Sequence, residues 1–420
     1  MSKKSILSRI GIYLVSVGPG IFLIGYNIGT GSVTSMASAG SRYGMSLFWT
    51  LLLSCLFSYF MFVAYGKFTI ITGNTPLYGY KKFIKYGNFI AIVTLIGLVS
   101  VEITGLMGIF GIVADTISEW SKIYLSENGY NTVWIASILI VIFYLFLLSG
   151  KYSIFEKILI LFVAIMGISF ILSMFLVIPE PIEIIRGFKP RIPDDKNSSI
   201  IISSMVGTTL SAPGFLVRSI LIQEKGWNIN QIGQGKRDAF IAVSMMFILS
   251  LAIMACAAGT LYPRGIAVEN VIDMVHTLEP IAGKFAISIF MVGVIGAGLS
   301  SIFPIILLAP WLICDYLGIK RNMKSKFFRI ITGVTVLAGL IVPIFHVRPV
   351  FAMIASMALQ IFMLPIVTIT IIYLINKKDI MQKYKAGIAM NIGLCATFIF
   401  SLIMTYHGIL GLSDYITGKI

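Results

Sequence analysis

Two clusters of glycine, proline and small polar residues interrupt otherwise apolar stretches of the chain. One reads GYNIGTGS at 25–32, shortly after GPG at 18–20, and the other reads GTTLSAPG at 207–214. Glycine and proline inside a helix cost about 1 and 3 kcal/mol, so each cluster predicts an interrupted helix. The hydroxyl, amide and freed backbone groups of such an interruption can bind a solute or an ion. The candidate substrate-binding residues are therefore Asn27, Gly29, Thr30, Ser32, Thr208, Ser211, Gly214 and Arg218.

These glycines also have a simpler interpretation, because small residues let neighbouring helices pack closely. We favour the binding interpretation, since each cluster lies near the middle of its apolar stretch. If these stretches span a membrane, non-helical backbone near their middle is tolerated only where it faces protein or a watery cavity.

Arg218 and Glu102 are charged residues inside apolar stretches, where an ionisable side chain is a functional candidate by default. Arg218 lies about one helical turn beyond the second cluster. It either forms a structural pair or adds positive charge to a cavity, which would then attract anions. Glu102 is a candidate partner for Arg218, a candidate proton site, or a carboxylate held by hydrogen bonds between packed helices. Further candidates for a coupling or pathway role are Ser300, Ser301 and Gln360.

Composition indicates that lipid is the solvent of these segments. Hydrophobic residues make up 58% of the 420 residues, charged residues 12%, and the mean hydropathy is +0.95, whereas soluble proteins carry about 25% charged residues. The net charge of +15 comes from short basic clusters between apolar runs, a distribution typical of membrane topology rather than of nucleic-acid binding. The apolar runs contain no Ser-His-Asp, HExxH or paired-carboxylate constellation, so we expect neither an enzyme nor a cofactor.

The apolar runs predict an all-α membrane protein with about eleven transmembrane helices. They cover 10–37, 45–71, 88–117, 132–149, 154–178, 199–223, 238–261, 282–313, 328–345, 348–375 and 386–409. Lys and Arg are concentrated in the connections on the side of the N-terminus, which places that terminus in the cytoplasm and the C-terminus outside it. We expect a multi-pass protein of the cell inner membrane.

The two clusters each open a group of five predicted helices, which favours a five-plus-five inverted repeat. The first repeat is predicted at 10–178 and the second at 199–375. An extracytoplasmic loop, rich in proline and charge, joins them at 179–198. The helix at 386–409 is an additional eleventh helix.

Four segments resemble the NRAMP family of metal-ion transporters. They are AGSRYGMSLFW at 39–49, VGTTLSAPGFLVRSILIQ at 206–223, GVIGAGLSSIFPIILLAPWLICDYLG at 293–318, and SMALQIFMLPI at 356–366. The resemblance follows the whole chain in order. It implies the LeuT-type fold, with discontinuous helices 1 and 6, and secondary transport of divalent metals of the Mn or Fe type.

The metal-binding positions of the family hold other residues in this chain. The Asp-Pro-Gly-Asn motif of the family falls on 29–32, so Gly29 and Ser32 stand at the Asp and Asn positions, and Ser211 stands at the position of the thioether ligand. Because divalent cations need anionic or strong oxygen ligands, this departure predicts weak Mn²⁺ binding, and we assign no metal ligands.

Three functions remain open from the sequence. The chain is predicted to transport a metal ion, to transport a small neutral or anionic solute, or to act as a non-transporting membrane sensor. Its expected partners are the lipid bilayer, the metal ion or small solute, and H⁺ or Na⁺ as a coupling ion.

Overall fold

The computed structural model describes residues 18–125, 128–148, 152–176, 179–270, 273 and 279–417. Residues 10–17 of the first predicted span, and the basic residues before them, lie outside the described residues.

The first half of the chain consists of helices joined by short connections. They are α1 (Gly18–Asn27), α2 (Thr30–Tyr43), α3 (Phe48–Thr72), α4 (Pro76–Phe83), α5 (Gly87–Tyr124), α6 (Thr132–Leu148), α7 (Tyr152–Leu176) and α8 (Pro181–Arg186).

The second half is also helical throughout its described residues. Its α-helices are α9 (Ser198–Thr209), α10 (Ala212–Glu224), α11 (Ile232–Thr260), α12 (Glu279–Leu317), α13 (Lys326–Leu337), α14 (Ile341–Phe345), α15 (Pro349–Gln360), α16 (Leu364–Asn376), α17 (Lys378–Met381) and α18 (Ile388–Ile416).

Both predicted interruptions are observed. The helix at the first cluster ends at Asn27 and a new helix begins at Thr30, with extended backbone at Gly29. The helix at the second cluster ends at Thr209 and resumes at Ala212, with extended backbone at Ser211 and Pro213 in the first turn of the new helix. Proline is well placed there, because the first amides of a helix have no intrahelical acceptor.

The described helices match a membrane-spanning protein in length and composition. Eight stretches are long and apolar enough to cross a bilayer. Two shorter apolar helices, within α6 and α7, and the broken pair α1–α2 account for the remaining predicted spans. The division into repeats at 10–178 and 199–375 stays a prediction.

The broken helices lie at the centre of the bundle. The helix α9 packs against α15, and α15 packs against α5. The helix α12 packs against α5 and α7, while α11 packs against α2. The stretch Ser198–Glu224 is buried along its whole apolar window, so the second break is surrounded by protein rather than by lipid.

Candidate functional site

A small cavity lies where the two breaks meet α5, α12 and α15. Its volume is about 20 Å³, which is enough for roughly one water-sized group. The lining side chains are all buried. The lining residues are Tyr26, Asn27, Gly29, Gly31, Glu102, Ile109, Thr208, Ser211, Ser301, Ile305, Met353, Met357 and Gln360.

Glu102 is the charged residue of this lining, and its neighbours are neutral. Its Oε1 accepts a hydrogen bond from the Tyr26 hydroxyl at 2.6 Å and a long one from Gln360 Nε2 at 3.5 Å. The Ser211 hydroxyl in turn donates to Gln360 Oε1 at 3.2 Å. A hydrogen-bonded chain therefore links the second break to the carboxylate on α5 and on to the end of α1.

The two breaks are also joined directly. The Ser32 hydroxyl donates to the Asn27 carbonyl at 2.6 Å and lies 2.9 Å from the Thr208 hydroxyl. Because Ser32 has one hydroxyl proton, Thr208 donates in this second contact. These bonds hold α2 and α9 in register at the depth of the cavity.

Asn27 and Thr30 carry buried polar atoms that make no hydrogen bond within the described residues. Both amide atoms of Asn27 and the Thr30 hydroxyl are in this state. A Cβ at Gly214 would lie 2.9 Å from Asn27 Oδ1, so the glycine leaves room for the amide. Buried unpaired polar groups cost about 1–3 kcal/mol each, and a bound ion or solute would satisfy them.

Two methionine thioethers complete the lining, and sequence reasoning missed them. Met353 and Met357 lie one turn apart on α15, and Met357 Sδ accepts from Gln360 Nε2 at 3.6 Å. Gly31 and Gly108 make room for them, since a Cβ at either glycine would lie under 3 Å from a methionine sulfur. The sequence signal that could have identified them is their spacing from Gln360, which follows them by seven and three residues on the same helix.

Arg218 does not line the cavity, and its guanidinium is engaged by protein groups. Its Nε donates to the Phe62 carbonyl at 3.1 Å, one terminal nitrogen donates to Asp238 at 2.7 Å, and the other donates to the Gly235 carbonyl at 2.8 Å. The pairing of Arg218 with Glu102, one of the three roles considered for Glu102, is therefore wrong. The partner is Asp238, which lies 20 residues further along the chain at the start of a predicted span.

Ser300 and Ser301 lie on α12 against the first break, and Ser301 also lines the cavity. The Ser301 hydroxyl donates to the Gly25 carbonyl at 2.8 Å. A Cβ at Gly29 would lie 2.0 Å from Ser301 Oγ. Gly29 is thus required for the close approach of α12, and the position that resembles a metal-binding Asp has no room for a side chain.

Two larger cavities lie at opposite ends of the bundle. One, of about 520 Å³, lies at the start of α9 and includes Arg42 and Glu269. The other, of about 560 Å³, lies at the end of α10 and includes Asp315 and Arg321. Ion pairs occur at each, between Arg42 and Glu269 and between Arg321 and Asp315. The small central cavity therefore lies between these two larger cavities.

The described residues contain no group of three or more His, Cys, Asp or Glu side chains placed to hold a metal. A metal at the central cavity would have to use one carboxylate together with amide, hydroxyl, carbonyl and thioether groups.

Comparisons with known proteins agree with this architecture. The chain is 21% identical over 410 residues to the divalent metal cation transporter MntH of Caldanaerobacter subterraneus subsp. tengcongensis, covering 95% of this chain and 93% of that protein. It is 24% identical to the natural resistance-associated macrophage protein 2 homolog of Dictyostelium discoideum, covering 92% of this chain and 62% of that protein.

Solved structures show the same fold. A variant of the Eremococcus coleocola manganese transporter superposes with a TM-score of 0.72 at 13% identity, covering 97% of this chain and 87% of that one. A transporter of the nucleobase-cation-symport-1 family superposes with a TM-score of 0.61 at 14% identity, covering 96% and 91%. The expected LeuT-type fold is confirmed.

The family comparison also covers nearly the whole chain. The model of the family described as natural resistance-associated macrophage protein-like matches residues 20–411, which confirms the resemblance seen in the four sequence segments and the expectation of a membrane transporter rather than an enzyme. The chain belongs to the natural resistance-associated macrophage protein-like family.

Proposed function

We propose that this chain transports a divalent metal cation through the cavity between the two breaks, with Glu102 as the anionic ligand. The observation that carries the proposal is the environment of Glu102, which is 3% exposed and contacts neutral donors. A carboxylate inside a membrane protein is costly unless a positive charge compensates it. A cation in the adjacent cavity supplies that charge.

The other lining groups support a metal rather than an organic solute. Amide, hydroxyl and carbonyl oxygens suit hard divalent cations, and the thioethers of Met353 and Met357 add soft donors that favour transition metals. The cavity of about 20 Å³ holds a single ion. The relatives named as divalent metal cation transporters support the same substrate class.

The main argument for an anionic substrate does not hold. That argument required the charge of Arg218 to face the cavity, whereas Arg218 pairs with Asp238 at 2.7 Å and both side chains are buried. Metal binding by this chain is nevertheless expected to be weaker than in relatives that carry an acid at the position of Gly29, because this chain has one anionic ligand fewer.

The test is Mn²⁺ and Cd²⁺ binding by titration calorimetry on the purified full-length protein, together with uptake of both ions into proteoliposomes. Glu102→Gln should weaken binding by about 100-fold or more, since even outer-shell changes at metal sites cost 10–100-fold. Glu119→Gln is the matched control, because Glu119 lies on the same helix but pairs with Lys122 outside the cavity. Equal metal affinity in Glu102→Gln and the original protein would refute the proposal, as would the absence of binding in the original protein.

A further inference from the structure

Two lysine-rich segments meet at the end of the bundle that is predicted to face the cytoplasm. One follows the end of α4 and leads into α5, and the other joins α16 to α18. The Lys377 amine donates to the Phe83 carbonyl at 3.1 Å, which holds the second segment beside the end of α4. We call seven side chains of these segments the lysine cluster; they are Lys81, Lys82, Lys85, Lys377, Lys378, Lys383 and Lys385.

The positive charge of the lysine cluster is not compensated by acids of the protein. Within the described residues, none of its amines forms an ion pair. Asp379 is the one acid in the sequence of the two segments, 76–89 and 376–388. Arg321, at the same end of the bundle, differs because it pairs with both Asp315 and Glu224. The cluster is therefore available to an anion, and all its members except Lys377 are exposed.

Aromatic side chains border the lysine cluster on the surface of the bundle. The Lys82 amine lies 5.4 Å from the centroid of the Phe83 ring, and the Lys85 amine lies 5.4 Å from that of the Tyr86 ring. Tyr86 is 77% exposed, and Phe89, in the first turn of α5, is 70% exposed. Tyrosine is enriched at the boundary between the headgroups and the hydrocarbon of a bilayer, and lysine extends its amine from there toward water. The cluster is therefore placed at the depth of the lipid phosphates.

We propose that the lysine cluster binds an anionic phospholipid. The lipid phosphate lies between the amines of the two segments, and the acyl chains run along α5, where Phe89 is followed two turns later by Ile96, which is 61% exposed. Lysine amines attract a phosphate by charge and donate hydrogen bonds to its oxygens, and basic sites beside transmembrane helices recognise lipid headgroups in this way. The lipid site is separate from the substrate cavity and does not depend on the proposed metal transport.

The apolar surface beside the amines determines the class of anion. A free phosphate would contact the amines alone, whereas Phe89 and Ile96 offer an exposed apolar face that only acyl chains can cover. The second segment has the same character, because the Lys377 amine lies 5.5 Å from the centroid of the Tyr373 ring, and Tyr373 is 46% exposed on α16. An anionic lipid uses the charged and the apolar parts of this surface together.

A bound lipid has a structural consequence, because the lysine cluster comes from two distant parts of the chain. The helix α4 packs against both α5 and α16. In the interior, the Tyr80 hydroxyl of α4 lies 2.6 Å from the Tyr65 hydroxyl, which donates to the Val367 carbonyl of α16 at 2.9 Å. A phosphate bound by amines of both segments would join α4 and α16 from the surface as well. The lipid should therefore stabilise the folded protein.

The experiment measures binding of radiolabelled lipid and thermal unfolding of the full-length, delipidated protein in detergent. Phosphatidylglycerol is compared with phosphatidylcholine of the same acyl chains, and with glycerol phosphate, which has the negative charge but no chains. We expect saturable binding and a raised unfolding temperature with phosphatidylglycerol alone. Lys82→Gln/Lys85→Gln/Lys383→Gln should weaken this binding by about 100-fold, because each lysine beside an anionic lipid contributes about fivefold.

Lys189→Gln/Arg191→Gln/Lys196→Gln is the matched control. It also removes three exposed positive charges, but from the loop before α9, at the other end of the bundle, where Asp194 and Asp195 lie between them. The control should retain the effect of phosphatidylglycerol. Unchanged phosphatidylglycerol binding in the variant of the lysine cluster, or an equal loss in the control, would overturn the inference.

The comparison of ligands on the original protein is a second test, and it decides if the variant of the lysine cluster does not fold. Equal binding of phosphatidylcholine would overturn the inference, because the lysine charges would then have no role. Equal binding of glycerol phosphate would overturn it too, since the site would then take a free anion rather than a lipid.

Discussion

Glu102 and Asp238 are both buried carboxylates among the helices of the bundle, yet their surroundings are opposite. Asp238 accepts from the Arg218 guanidinium at 2.7 Å and from the Gly20 amide at 3.1 Å. Glu102 accepts from the hydroxyl of Tyr26 and the amide of Gln360, neither of which carries charge. One carboxylate is neutralised by the protein itself, and the other is bonded only to neutral groups among the described residues.

The paired carboxylate belongs to the scaffold that positions the breaks. Arg218 lies on α10, Asp238 lies on α11, and Gly20 lies on α1, so a single carboxylate joins the broken helices of both halves. Gly66 packs beside this pair, where an added Cβ would lie 3.1 Å from Ile222 Cδ1 and in ordinary contact with Arg218 Nε. The two buried carboxylates therefore differ in whether a positive charge of the protein lies beside them.

The largest expected effect comes from breaking the scaffold pair. Arg218→Ala should reduce the free energy of unfolding by about 3–5 kcal/mol, because it leaves the Asp238 charge buried and uncompensated. The measurement is unfolding of the purified protein in detergent micelles. Arg42→Ala, which removes a partly exposed ion pair with Glu269, is the control and should cost about 1 kcal/mol or less.

A second variant keeps this prediction testable if Arg218→Ala does not fold. Arg218→Met/Asp238→Leu replaces both charges by apolar groups, which is often neutral for stability, and should recover most of the loss. Stability equal to that of the original protein in Arg218→Ala would contradict the structural role of the pair.

Residue types and spacing predicted much of this architecture. The glycine and proline clusters at 25–32 and 207–214 predicted both interruptions, because such residues are costly in a continuous helix wherever it lies. Glu102, Asn27, Ser211, Ser301 and Gln360 were identified as site candidates for a similar reason, since polar groups in an apolar span need partners. The structure places all five in one lining.

The partner of Arg218 could not be predicted from the sequence. Asp238 and Glu102 are both acids in or beside apolar spans, and only the packing of α10 against α3 and α11 decides which one the guanidinium meets. Met353 and Met357 were missed for a related reason. A methionine in an apolar helix packs against lipid or core equally well, so its approach to the cavity depends on the position of α15.

A smaller loss of stability is expected from removing the shorter of the two hydrogen bonds that Glu102 accepts. Tyr26→Phe deletes the 2.6 Å hydrogen bond, and hydrogen bonds to charged groups contribute about 1.5–3 kcal/mol. Unfolding in detergent should show a loss in this range. Tyr43→Phe is the control, since the Tyr43 hydroxyl also donates to a carboxylate, Asp195, but at an exposed position. No loss in Tyr26→Phe would indicate that Glu102 is not ionised in the folded protein.

The smallest expected change in stability comes from neutralising the unpaired carboxylate itself. Glu102→Gln keeps an oxygen that accepts from Tyr26 and removes a buried charge, so the free energy of unfolding should stay within about 1 kcal/mol of the original or rise. Asp238→Asn makes the same chemical change at the paired site and should cost several kcal/mol, because Arg218 loses its counter-charge. The free energies of unfolding of the two variants, measured side by side without added metal, give this difference. A large loss in Glu102→Gln would mean that Glu102 has a positive partner within the protein, and the contrast between the two carboxylates would then fail.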